Sequence, residues 1–180
     1  MQLNDGRKGT SARVSNTGQL YTLSSVRKVA AEMSESGNAA VVNSGFITQT
    51  AGGEKGVLKI RLNPDETHIH EIRLSSDAAV KWRVFSKATS DTFSVAGTPV
   101  NLNLGSGTVF DCAVNVGDNV ATVTGGTPIL TGMSNSGKDC LFPLEGLLIG
   151  TAATTLYIVA DGAATVMASV VLFKHDTADH

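Results

Sequence analysis

Residues 154–173, TTLYIVADGAATVMASVVLF, alternate in side-chain character on both sides of the pair Asp161-Gly162. An alternation with a period of two is typical of β-strands. The Asp-Gly pair favours a type I′ turn, because both residues readily accept positive φ angles. We therefore predict a β-hairpin here. Both faces of its second strand carry apolar side chains, which predicts a central strand covered on at least one side by a second layer.

Further short segments before this hairpin have strand patterns, and turn residues such as Gly, Pro, Asn, Asp and Ser separate them. They are residues 40–50, 57–62, 68–74, 79–85, 100–104, 109–116, 120–124, 129–130 and 141–149. Many short strands with turn signals between them are typical of an antiparallel sandwich or barrel, and a two-sheet jelly roll fits best. We predict an all-β, jelly-roll-like antiparallel β-sandwich over residues 37–180.

The first 36 residues differ from this pattern. Residues 1–23 show no helical period and contain several glycines, which predicts an extended N-terminal arm. Residues 25–36 predict one short helix, because apolar residues recur at helical spacing and Gly37 follows as a stop. Those apolar residues are Val26, Val29, Ala30 and Met33. We predict that residues 1–36 form the arm and helix.

Composition excludes several classes of protein. The chain has 180 residues, of which 42% are hydrophobic and 17% charged, so it can bury a sizeable core. A net charge of −2 argues against a dedicated nucleic-acid-binding protein. No apolar run is long enough for a membrane span, and the N-terminal residues lack the apolar region of a signal peptide. Cys112 and Cys140 have no metal-site spacing, which predicts unpaired thiols.

The positive charges are unevenly distributed. Twelve of the fourteen Lys and Arg residues lie at or before Lys87, and residues 88–137 contain none. Because charge is depleted at the centre of protein interfaces, this stretch predicts a surface that meets another subunit. The alternative is a neutral loop region on a monomer.

A second feature is a set of cations on strands. Lys59, Arg61, Arg73, Lys81 and Arg83 alternate with apolar residues on three consecutive predicted strands, and we expect them to project from one common face. This pattern fits either the solvated face of a sandwich or a docking face for an acidic protein surface. With the cations of the first 28 residues they are the candidate partner-binding residues. The additional cations are Arg7, Lys8, Arg13, Arg27 and Lys28.

Few residues suggest chemistry. His68 and His70 stand at i and i+2 on a predicted strand and share a face, as in the His-x-His of cupins. However, Glu71 follows immediately and is expected on the opposite face, and no later histidine completes a site. We predict two structural histidines and no metal site.

Other motifs also fail. Residues 132–139, GMSNSGKD, approach a phosphate-binding loop, but Asp139 replaces the required Ser or Thr and Pro143 opposes a following helix. There is no Gly-x-Ser-x-Gly nucleophile motif. We predict no catalytic residue and no cofactor, and we interpret residues 125–139 as a long contact loop.

The N-terminal third resembles a group of tailed-bacteriophage virion proteins. The segments DGRKGTSARVSNTGQLYTLSSV (residues 5–26), AAEMSESG (30–37) and NAAVVNSGFITQTAGGEKGVLKIRL (38–62) carry the resemblance. In that group a short DGTG-like arm with an RV-x-x-x-G-x-L segment precedes a β-sandwich. The matching residues here are Arg13, Val14, Gly18 and Leu20. The resemblance implies a non-enzymatic structural protein, often a trimeric jelly roll that decorates or cements the capsid.

From this resemblance we expect a head decoration (cement) protein of a bacteriophage. It would bind the major capsid protein, form a homotrimer through its cation-free strands and loops, and lay its basic arm along the capsid. It would be made in the bacterial cytoplasm and end on the capsid surface of the virion, with no membrane or specific nucleic-acid partner. One alternative is a tail, baseplate or receptor-binding module that uses residues 125–139. Another is a cupin-like metal-binding barrel that uses His68 and His70.

Overall fold

The computed structural model describes residues 2–4, 11–14, 20–22, 34–50, 52–62, 66–107, 109–150 and 154–174. The chain divides into two compact units, Met1–Glu32 and Met33–His180. In the first unit, strands β1 (Gln2–Asn4), β2 (Ser11–Val14) and β3 (Leu20–Thr22) form an antiparallel sheet with β2 in the middle. The described residues of the expected N-terminal arm therefore pair with one another as a three-stranded meander.

The predicted helix falls largely on residues 25–33, which lie outside the described residues. Ser34 and Glu35 are helical, and the Gly37 amide donates to the Ser34 carbonyl at 3.1 Å. Gly37 has a φ of 78°, the left-handed conformation that commonly ends a helix. The described residues thus contain the predicted stop at Gly37, and the helix itself stays a prediction.

The described residues of the second unit form fourteen strands. In chain order they are β4 (Ala39–Asn43), β5 (Ile47–Gln49), β6 (Glu54–Leu62), β7 (Thr67–Ser76), β8 (Val80–Phe85), β9 (Ser90–Asp91), β10 (Val95–Gly97), β11 (Val100–Asn101), β12 (Cys112–Val116), β13 (Val123–Thr124), β14 (Pro128–Ser134), β15 (Cys140–Gly150), β16 (Thr155–Asp161) and β17 (Ala164–Lys174).

Two antiparallel sheets make the body of this unit. The first, here called the β4 sheet, has the order β11-β4-β17-β7-β15, and β5 also pairs with β17. The second, the β6 sheet, has the order β10-β12-β6-β16-β8-β14. Eight strands make the main part of the two sheets, namely β4, β6, β7, β8, β14, β15, β16 and β17. Each consecutive pair of them along the chain lies in different sheets, except β8 and β14, which are neighbours in the β6 sheet. This connectivity is that of a jelly roll, so the predicted fold class is confirmed.

The predicted hairpin at Asp161-Gly162 is wrong. Strand β16 pairs with β6 and β8, whereas β17 pairs with β4, β5 and β7, so the connection crosses from one sheet to the other. Asp161 lacks the positive φ of a type I′ turn; within the described residues Glu145 is the one non-glycine residue with such an angle. The prediction that the second strand is central is confirmed, because β17 has neighbours on both sides.

A single apolar core lies between the two sheets. Inward-facing side chains of both sheets join one cluster, and Ile60, Ile72, Ile158 and Val170 are completely buried in it. Trp82 is also buried there, and its indole nitrogen donates to the Ser134 hydroxyl at 2.6 Å. Burying one such aliphatic side chain contributes about 1.5–3 kcal/mol to folding. This core holds the outward-facing side chains of both sheets in fixed positions.

A long insertion, residues 86–127, separates β8 from β14. Its strands β9 and β13 pair as a ribbon, and Phe93 and Val123 of this region pack against Tyr157 and Val159 on the outer face of the β6 sheet. Strands β10 and β12 extend the β6 sheet beyond β6, and β11 extends the β4 sheet beyond β4. The expected long contact loop over residues 125–139 is wrong, because Pro128–Ser134 form β14, a strand paired with β8, and Asn135 and Lys138 close a tight turn after it.

Candidate interaction surfaces

The strand cations do not share one face. Lys59 and Arg61 lie on β6, and Lys81 and Arg83 lie on β8, so these four belong to the β6 sheet. Arg73 lies on β7, which belongs to the β4 sheet. The prediction of one common face is therefore wrong for Arg73. The alternation of apolar and charged residues gives the orientation of a side chain within its strand, but it does not say which sheet the strand joins.

Lys59 is engaged within the chain. Its ammonium lies 2.8 and 2.9 Å from the two carboxylate oxygens of Asp91, and the Tyr157 hydroxyl donates to the same carboxylate at 3.1 Å. Burial works to raise the pKa of Asp91, but the hydrogen bonds from Lys59 and Tyr157 and the Lys59 charge outweigh it, so this pKa is lowered. Burial and the Asp91 carboxylate together raise the pKa of Tyr157. This cluster ties strand β9 of the insertion to the β6 sheet.

The other strand cations are more accessible. Arg83 forms an ion pair with Glu54 at the start of β6. Arg61 and Lys81 are exposed, and Lys81 stands in register with Asp161 and Met133. Arg73 lies 4.0 Å from Glu71 and 3.9 Å from Asp139, and half of its side chain is exposed.

Of the candidate cations in the first 28 residues, Arg13 lies on β2 in register with Gln2 and Tyr21. The remaining four fall outside the described residues, namely Arg7, Lys8, Arg27 and Lys28. Their predicted contact with a partner stays a prediction.

The histidine pair sits beside a β-bulge. The register of β7 with both neighbouring strands skips from Ile69 to Glu71, so His70 has no partner residue. The extra residue rotates Glu71 to the outer face, where it lies near Arg73; the expectation that Glu71 faces the opposite side from His68 is wrong. His68 Nε2 lies 2.7 Å from the Glu66 carboxylate, and the His70 ring lies 4.8 Å from that of Phe173. Both histidines thus have structural contacts.

The phosphate-loop-like segment is part of a strand and a tight turn. Gly132 lies within β14, and Asn135 and Lys138 exchange backbone hydrogen bonds around a turn in which Gly137 has a φ of 77°. Strand β15 follows at Cys140. A phosphate-binding loop needs a helix N-terminus at this position, and a strand offers none.

The two cysteines are unpaired thiols. Burial, with a smaller contribution from Asp111, raises the pKa of Cys112 to about 11. Burial also raises the pKa of Cys140, partly offset by a hydrogen bond with the Met133 backbone. Both groups are therefore protonated at neutral pH and are poor nucleophiles. Within the described part of the chain, no three His, Cys, Asp or Glu side chains are placed to hold a metal ion.

The surface exposes many large apolar side chains, which sequence reasoning did not identify individually. Among the residues that the structure describes, eleven such side chains are exposed, and eight of them fall within the cation-free residues 88–137. These eight are Val95, Val100, Leu102, Leu104, Val109, Val120, Ile129 and Met133. The lack of cations in residues 88–137 was the sequence signal for an unusual surface, and the side-chain exposure identifies the apolar residues on it.

The remaining three exposed apolar residues lie on the β4 sheet or beside it. They are Phe46, Leu141 and Ile149. Phe46 is 82% exposed and lies in the bulge of residues 44–46 between β4 and β5, which pair one after the other with β17. It borders a hollow of 330 Å³ that Ser75 and Asp77 help to line. The start of the bulge is held by hydrogen bonds between Ser44 and the Ala168 backbone.

Among the described residues, no helix has the length and apolar character to span a membrane. No protein-family model matches the chain, and neither curated proteins nor solved structures give a significant match.

Proposed function

We propose that this protein is a non-enzymatic structural component of a tailed-bacteriophage virion, a decoration (cement) protein that binds the major capsid protein and stabilises the head. The observation that carries the proposal is the surface: in the described part of the jelly-roll body, eleven large apolar side chains are exposed outside the buried core. Large exposed apolar areas on such a body mark sites of association. The resemblance of the N-terminal third to virion proteins supports the assignment to a phage virion.

The two histidines that suggested a metal site have contacts within the chain: His68 contacts Glu66, and His70 packs on Phe173 of the neighbouring strand β17. Asp91 is held by Lys59 and Tyr157, which joins β9 to the β6 sheet. A protein of this kind acts by adding buried surface across neighbouring capsid subunits, and symmetry multiplies contacts that are individually weak.

The exposed cations would orient the protein on its partner. Arg61 and Lys81 on the β6 sheet, together with the cations of the first 28 residues, fit an acidic capsid surface. Such pairs mainly raise the association rate and fix the orientation, and their effect falls with added salt.

The test is binding of the purified full-length chain to phage capsids that lack it. We expect saturable co-sedimentation with a fixed copy number per capsid and a higher disruption temperature of the occupied capsids. A variant in which Arg7, Lys8 and Arg13 are changed to Ala should bind more weakly, and the loss should be largest at low salt. Lys138→Ala, which removes an exposed cation outside the candidate set, is the matched control. Absence of capsid binding at any salt concentration contradicts the proposal.

A receptor-binding or tail role is the second candidate, and Phe46 is the observation that favours it. An exposed aromatic ring beside the hydroxyl and carboxylate groups of Ser75 and Asp77 fits a small polar ligand on a host surface. In that case the protein should bind host cells rather than capsids, and Phe46→Ala should abolish the cell binding without changing the folded state.

A further inference from the structure

One side of the jelly roll is closed by a segment without charge. Residues 92–110, TFSVAGTPVNLNLGSGTVF, contain no Asp, Glu, Lys, Arg or His. Within this segment β10 forms the edge of the β6 sheet and β11 forms the edge of the β4 sheet. We call residues 92–110 the neutral edge. Both strands are very short and Pro99 lies between them, so their backbone is a poor template for adding a further strand.

The neutral edge exposes apolar side chains to an unusual degree. Leu104 is 85% and Val109 is 84% exposed, and Val95, Val100 and Leu102 are between 40% and 49% exposed. Leaving apolar surface in water costs about 25 cal/mol per Å² relative to burying it. An apolar, charge-depleted surface of this composition matches the centre of a protein interface.

Hydrogen bonds fix the shape of this surface. The Asn101 side chain donates to the Gly37 carbonyl at 2.8 Å, and the Asn103 side chain donates to the Glu35 carbonyl at 3.0 Å. The Leu102 amide donates to the Ala39 carbonyl at 2.9 Å, and at the far end Phe110 is buried in the core. The backbone at residues 101–103, which carries Leu102, is therefore held in place before any partner binds, and this reduces the entropy cost of association.

We infer that the neutral edge is the contact between copies of this chain in a homo-oligomer. The inference rests on the proposed function, since the resemblance to decoration proteins implies a homotrimer, and it names the surface that holds the copies together. Near the axis of a symmetric assembly a residue faces its own counterpart, so a charged residue there would meet a like charge. A surface with no charge of either sign avoids this repulsion. The neutral edge also has no charge that would attract a charged partner, whereas the cations elsewhere on the chain would attract an acidic one.

The test is the oligomeric state of the full-length protein, measured by sedimentation over a range of concentrations. We expect the wild type to form oligomers. The double variant Leu104→Asp, Val109→Asp should raise the dissociation constant by roughly 100-fold or more, because charges would be brought together in an apolar contact. Both side chains are exposed, so the thermal unfolding temperature of the subunit should change little.

The matched control is Val120→Asp. Val120 is also exposed, at 68%, and also lies in the cation-free stretch, but outside the neutral edge. It should leave the dissociation constant within about twofold, which corresponds to about 0.4 kcal/mol. A wild-type protein that stays monomeric at its highest soluble concentration overturns the inference. So does a double variant that assembles as well as the wild type.

Capsid binding of the same variants separates this inference from the proposed function. If the wild type forms oligomers through residues 104 and 109 but does not bind capsids, the proposed function fails and the contact between copies stands. If the wild type binds capsids as a monomer, the inference fails and the proposed function stands. A monomeric double variant that still binds capsids, with lower avidity than the wild type, supports both.

Discussion

The Asp91 side chain connects the insertion, residues 86–127, to two side chains of the β6 sheet. Its carboxylate accepts hydrogen bonds from Lys59 and Tyr157, and the Lys59 ammonium also lies 5.7 Å from the centre of the Tyr157 ring. Lys59 and Asp91 are 32 residues apart in the chain, and no sequence motif predicts that they pair. Sequence reasoning placed Lys59 on a polar strand face correctly, but its partner depends on where the insertion folds back.

We expect Asp91→Asn to lower the stability of the folded protein by about 1 kcal/mol at neutral pH, because the ion pair is partly exposed. The folded-state pKa of Asp91 is lowered, so its contribution is fully present above the ordinary aspartate pKa of about 3.9 and is lost as the pH falls through the lower folded value. Thermal unfolding of both proteins over a pH series measures this. The difference between them should shrink below about pH 4.

Asp139→Asn is the control, since Asp139 is exposed and lies 3.9 Å from Arg73. It should change stability by less than about 0.5 kcal/mol. A loss in Asp91→Asn that is equally large in acid would contradict the role assigned to the ionised carboxylate.

At the scale of elements, strand positions were predictable and strand partners were not. The period-two patterns located β6, β7, β8, β16 and β17 because each buries one or both faces. The Asp161-Gly162 pair suggested a local hairpin, yet both flanking strands find partners far away in the chain. A turn signal describes a few residues, whereas pairing is decided by which strands complete the core. The bulge at His70 is equally invisible in sequence, because it depends on the register with β15 and β17.

Gly117 links the end of β12 to β6. Its amide donates to the Val57 carbonyl at 2.8 Å, and a β-carbon at this position would overlap the Gly56 carbonyl. We expect Gly117→Ala to destabilise the protein by about 2 kcal/mol or more, because backbone must move. Gly107→Ala is the matched control, since its added methyl group would meet no atom within 4 Å. That variant should be neutral or slightly stabilising in chemical denaturation. Equal stability of the two variants would contradict the close approach of β12 and β6.

At the scale of the whole molecule, the fold class was predictable and the arrangement of its surfaces was not. Composition and periodicity indicated a sandwich, and the absence of cations from residues 88–137 indicated an unusual surface. The pattern could not show that part of this stretch covers the outer face of the β6 sheet while residues 92–110 close a side of the sandwich. Likewise, it could not separate Arg73 from the cations of the other sheet.

One core shared by both sheets predicts cooperative unfolding of the jelly-roll body. Ile72 is completely buried in this core, and Ile72→Ala should cost about 2–5 kcal/mol. Trp82 is the only tryptophan of the chain and lies in the same core, so its fluorescence reports on the body specifically. The fluorescence transition and the main circular dichroism transition should coincide in wild type and shift together in the variant. Separate transitions would indicate that the sheets unfold independently.

The position of β17 determines when the β4 sheet can form during synthesis of the chain. The strand lies at the centre of the β4 sheet between β4 and β7, yet it is the last strand of the jelly roll in chain order. A nascent polypeptide therefore leaves the ribosome with the edges of β4 and β7 unfilled until residues 164–174 emerge. Chains that are released before residues 164–174 have been made expose two open strand edges, which are templates for aggregation.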